Sequence, residues 1–97
     1  MTSKEMLENA KKMIKKDHID LKKQKEELDD LENQLKVEKK VLEELKDDKD
    51  LSLFQQGVID GVQSEIEMQK EKISVTESEI KTLAKKIEVL KRDTWMF

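Results

Sequence analysis

Neither cysteine nor proline occurs in this 97-residue chain, and glycine occurs only twice. Without cysteine there is no disulfide framework, no thiolate nucleophile and no sulfur ligand for zinc, and the redox compartment stays open. Without proline, no residue breaks helical hydrogen bonding from within. Aromatic residues are scarce at 3%, with one Trp, two Phe and no Tyr, and histidine occurs once, at His18. No apolar run approaches the ~20 residues of a membrane span. The stretch MTSKEMLENAKK also lacks the apolar core of a signal peptide. Cytoplasmic residence is therefore the expectation, with secretion by a route without a cleaved signal left open.

What the chain has in quantity is charge. Asp, Glu, Lys and Arg make up 44% of it, for a net charge of −3. Such a composition suits long helices or disorder, and a sustained periodicity decides for helices. Leu7, Ile14, Leu21, Leu28, Leu35 and Leu42 recur every seventh position. Three residues after each come Ala10, Asp17, Gln24, Leu31, Glu38 and Leu45. The beat resumes with Ile59, Ile66, Ile73, Ile80 and Ile87, trailed by Val62, Gln69, Thr76, Leu83 and Leu90. Spacings of three and four put each set on one helical stripe, the a and d positions of a coiled coil.

The two beats are out of phase. From Leu42 an unbroken register next reaches Lys49, Gln56 and Gln63, all polar. One continuous helix would need a three-residue slip, with Gly57 and Gly61 inside it. A hairpin needs neither concession, because each arm keeps its own register. The expected fold is thus all-α: an antiparallel two-helix coiled-coil hairpin over residues 1–97, dimerising into a four-helix bundle. Helix one is expected over about 3–47, behind a capping box at Thr2-Ser3-Lys4-Glu5. A second box, Ser52-Leu53-Phe54-Gln55, sets the turn at about 48–52 and helix two at about 53–93.

An antiparallel register follows if facing residue numbers sum to 104. Leu7 then meets Phe97, Leu21 meets Leu83, and Leu42 meets Val62. Every polar seam residue except Thr94, which meets Ala10, faces a large apolar one: Asp17 with Ile87, Gln24 with Ile80, Glu38 with Ile66, Gln69 with Leu35, and Thr76 with Leu28. The tail from Thr94 to Phe97, including Trp95, is placed beside Met1, Met6 and Leu7.

Catalytic patterns are missing. His18 has no second histidine and reads as a solvent-facing bystander. Asp48-x-Asp50-x-Ser52 begins like a calcium loop, but Leu53 stands where the sharp-turn glycine belongs and Ile59 where the bidentate glutamate belongs. Gly57 and Gly61 have no preceding strand and no following Lys-Ser/Thr to cradle a phosphate. No enzyme activity, metal or cofactor is expected.

Three surfaces remain as candidates. Leu51, Leu53, Phe54 and Val58 gather at the fold-back, either stapling the turn onto Leu45 and Ile59 or anchoring a partner protein. Met68, Val75 and Val89 share the c position of helix two, with Gly61, Thr82 and Met96 in phase, and form an expected oligomer face. Lys11, Lys12, Lys15, Lys16, Lys85, Lys86, Lys91 and Arg92 make a basic region, with Trp95 available to stack on a base. The expected function is a non-catalytic interaction protein, an adaptor, scaffold or inhibitor, that pairs with itself and binds another protein through its tip or a helix face. Contact of the basic region with nucleic acid is the alternative. Another is a role as the helical-hairpin partner of a secreted effector.

In outline, a helical hairpin of about a hundred residues resembles the WXG100 proteins of type VII secretion. Here Phe54-Gln55-Gln56-Gly57 stands at the turn in place of Trp-x-Gly, and Trp95 lies elsewhere. The hairpin is also similar to prefoldin subunits, which carry a β-hairpin at the break. Both resemblances cover architecture alone and assign no residue a role.

Overall fold

A computed structural model describes the backbone of residues 2–95 and the side chains of residues 2–92. The described chain is all-helical: α1 spans Ser3–Glu44 and α2 spans Lys49–Trp95, folded back into a hairpin. The placements expected for Trp95, Met96 and Phe97, and for the Thr94 side chain, lie outside the described residues. Two compact units make up the molecule, residues 1–23 with 73–97 and residues 24–72.

Both helix starts are side-chain capped. Thr2 Oγ1 accepts from the Glu5 N–H at 3.2 Å and donates to Glu5 Oε1 at 3.3 Å. Thr2 thus caps α1, as the Thr2–Glu5 box read from the sequence expects, with Glu5 bonded to the Thr2 hydroxyl. The start of α2 differs from expectation. Asp48, not Ser52, is the cap: its Oδ1 accepts from the Leu51 N–H at 3.1 Å. The helix consequently begins about one turn earlier than the Ser52 box implied. Aspartate caps as well as serine does, and its charge also suits a helix N-terminus.

Ser52 has a different task. Its hydroxyl donates to the Leu45 carbonyl, one of the acceptors that the end of α1 leaves without an intrahelical partner. The Asp48 N–H donates to the same carbonyl at 2.9 Å. No described residue has a positive φ, so this turn requires no glycine. Gly57 and Gly61 instead lie inside α2. The fold-back spares the chain the register slip but not the helical glycines.

The heptad seams are the dry side of each unit. In residues 24–72, Ile59, Val62 and Ile66 are buried, with Leu28, Leu31, Leu35 and Leu42 half-buried. In the other unit, Ala10, Ile73, Leu83 and Leu90 are buried, with Leu7, Ile14 and Leu21 half-buried. No large described side chain is completely enclosed. Two helices cover each other on one stripe only, and a core this thin is marginal.

The facing register differs from the expected one. Gln55 Nε2 donates to the Glu38 carbonyl at 2.9 Å and to Glu38 Oε2. Gln69 Nε2 donates to the Gln24 carbonyl at 2.9 Å and to Glu27 Oε2 at 3.2 Å. Residue numbers of the pairs Gln55–Glu38 and Gln69–Gln24 sum to 93. Half of that falls in the turn after Leu45, not at Ser52. Glu38 therefore faces Gln55 rather than Ile66, and Gln24 faces Gln69 rather than Ile80. In the other unit, Leu21 shares a groove with residues of α2 from Ser74 to Ala84.

The reason lies in the cost of burying polar atoms. An amide opposite isoleucine loses its water without gaining a partner, a cost of about 1–3 kcal/mol. Polar opposite polar recovers a hydrogen bond in the same space. Gln55 and Gln69 are 6% and 7% exposed, so they depend on those bonds.

Candidate interaction surface

The first turns of α2 hold the apolar residues expected at the fold-back. Leu53 and Phe54 are 72% and 73% exposed, Leu51 is exposed, and Val58 is half-buried. Leu53 and Phe54 are too open to staple the turn against Leu45 and Ile59. Hydrogen bonds from Ser52 and Gln55 tie the turn instead. Phe54 and Leu53 stand on a helix whose backbone is fixed by the Asp48 cap and the Gln55–Glu38 layer. The backbone that carries them therefore loses little further freedom on binding.

Within residues 24–72 the apolar surface is one-sided. Heptad position assigns Phe54 and Met68 to c, and Leu51 and Val58 to g, of α2. It assigns Val37 to c and Val41 to g of α1. Positions c and g adjoin on a helix, and g positions of antiparallel helices lie on the same flank. The opposite flank, at b and e, carries Leu53 as its only large apolar residue and is otherwise charged or amide. A groove of about 410 Å³ on the apolar flank is lined by Leu31, Met68 and Gln69 with Glu27, Asp30, Glu65 and Lys72. Its volume suits a few inserted side chains, and its rim is mostly acidic.

In residues 1–23 and 73–97, Val75 and Val89 are 63% and 53% exposed at the c position of α2, and Met13 is exposed at g of α1. Met68, in residues 24–72, is 65% exposed. Phe54 is in phase with these residues, a periodicity legible in the sequence once the column is extended backward past Gly61. A Cβ added at Gly57 or Gly61 would meet nothing within 4 Å, so both glycines face open space.

Lys11, Lys12, Lys15, Lys16, Lys85, Lys86, Lys91 and Arg92, all in the unit of residues 1–23 and 73–97, are exposed. Arg92 lies 3.7 Å from Glu88 in an exposed pair, worth little on its own. His18 is exposed and lines the groove it shares with Leu21. Among the described residues no helix is long and apolar enough to cross a membrane. Nor does any group of three His, Asp or Glu residues stand close enough to hold a metal ion.

Sequence reasoning did not find the polar layers. The Ser52-Leu53-Phe54-Gln55 box assigns Gln55 to a cap, although it lies one heptad before Val62 and so belongs to the seam. Comparison with protein-family models, with curated proteins and with solved structures finds no match.

Proposed function

We propose that this chain is a non-catalytic interaction protein, a helical hairpin that pairs with a second hairpin along the c face of α2 to form a four-helix bundle. The apolar residues at the start of α2, Leu53 foremost, are then offered to a further protein. One observation carries the reading. The seam is filled, yet large apolar side chains stay exposed in a phased column on α2, with Phe54, Met68, Val75 and Val89 each more than half open to solvent.

A phased exposed column costs solubility and favours burial against a second apolar surface. Four helices also supply what two lack, a core enclosed on more than one side. Both grooves described here are shallow and open, which does not favour catalysis.

Light scattering on the wild type and on a Met68→Lys, Val75→Lys, Val89→Lys triple variant tests the pairing. The wild type is expected to be a dimer at micromolar concentration, and the variant a monomer with a lower melting temperature. A wild type that is monomeric and still melts cooperatively would refute self-association. For the tip, Leu53→Ala is expected to keep its helicity and melting temperature while losing proteins that co-purify with the native chain. An unchanged set of co-purifying proteins counts against that role.

A further inference from the structure

The exposed column of α2 is symmetric about its middle. Phe54, Gly61 and Met68 belong to the 24–72 unit, and Val75, Thr82 and Val89 to the other. Reading one copy forward against another backward sets Met68 against Val75, Gly61 against Thr82, and Phe54 against Val89. Both of the larger aliphatic or aromatic sets then meet each other, and the open Gly61 meets the smallest remaining side chain. A two-fold axis between residues 71 and 72 makes every such contact twice, as an isologous dimer requires.

Charge selects the same orientation. Residues 24–72 hold eight lysines and fifteen carboxylates, a net charge of −7. Residues 1–23 with 73–97 hold twelve Lys or Arg and eight carboxylates, a net of +4. The contrast persists on the apolar flank. At c and g positions of residues 24–72, Glu27, Asp30, Glu44 and Glu65 outnumber Lys72. At the same positions of the other unit, Lys16, Lys23 and Lys86 balance Asp20, Glu79 and Asp93, so that stretch of the flank is neutral rather than acidic. Two copies laid in parallel would set −7 against −7, a repulsion that complementary docking turns into attraction.

We propose that the occupant of the apolar flank is a second copy of this chain in reversed orientation, the acidic 24–72 unit of one copy lying on the basic unit of the other. This rests on the self-association proposed above. It specifies the orientation and makes the charge asymmetry the device that sets it. Like charges disfavour a parallel pair, and a two-fold pair closes on itself instead of extending into a chain of copies.

The full chain has no native cysteine, so a single spin label reports orientation directly. Lys85→Cys sits at an exposed f position, off the proposed contact column. With the axis between residues 71 and 72 and a rise of ~1.5 Å per residue, the two labels of a reversed dimer lie about 40 Å apart. A parallel dimer would bring them within about 20 Å, since packed helix axes are 8–10 Å apart. A distance near 40 Å supports the proposal, and 20 Å or less overturns it while leaving self-association intact. A monomer by light scattering overturns both. The dimer Kd is further expected to rise severalfold between about 0.05 and 0.5 M salt, as screening removes the attraction between opposite units. A Kd that falls with salt would show like charges in contact and refute the reversed arrangement.

Discussion

Replacing Gln55 by Leu removes the central polar contact beside the turn and tests the register. Gln55 is 6% exposed and donates both to the Glu38 carbonyl and to its carboxylate. A hydrogen bond to a charged group contributes roughly 1.5–3 kcal/mol, and one to a neutral carbonyl about 0.5–1.5 kcal/mol. Leucine returns part of this through apolar burial, about 1.5–3 kcal/mol when complete. Because Glu38 is only half-buried, its carboxylate can turn to water and limit the loss. The net expectation is a destabilisation of about 1–2 kcal/mol. For a chain of this size that is a fall in Tm of roughly 5–15 °C.

Urea and thermal melts followed by circular dichroism, at one fixed protein concentration, measure it. A double-mutant cycle with Glu38→Leu isolates the pair, with a coupling energy of about 1–2 kcal/mol expected. The double variant places leucine opposite leucine and is expected to recover much of the stability, as apolar replacements of buried polar pairs often do. A Gln55→Leu protein that melts at or above the wild type, with no coupling to Glu38, would refute the polar layer. In that case Gln55 would be the solvent-facing cap residue of the other register.

Two further substitutions address the turn and the glycines. Asp48→Ala removes the α2 cap and is expected to cost about 1 kcal/mol by urea melt; no loss would return the cap to Ser52. Gly57→Ala is expected to raise stability by roughly 0.5–1 kcal/mol, because the site is helical and open. A loss on that substitution would place an unseen surface against Gly57.

The sequence by itself determined the helices, the seam and the fold-back. Heptad spacing is a local property, and with no proline to interrupt it, each stripe from Leu7 to Leu45 and from Ile59 to Leu90 could be read directly. The phase change between Leu42 and Ile59 announced two arms rather than one. The exposed column was legible for the same reason, since Met68, Val75 and Val89 differ by multiples of seven. What the sequence left undetermined was how far one arm slides along the other. Sliding one arm along the other keeps the apolar stripes in contact, so hydrophobic pattern alone separates the registers poorly. Only the tertiary structure decided, through contacts between residues far apart in the chain. Asp48 starts α2 early and fixes a short turn, and the buried amides of Gln55 and Gln69 find Glu38, Gln24 and Glu27. Hydrogen bonds are directional and leave little tolerance for displacement, whereas apolar contact is not directional. The polar layers therefore set a register that the leucines and isoleucines could not.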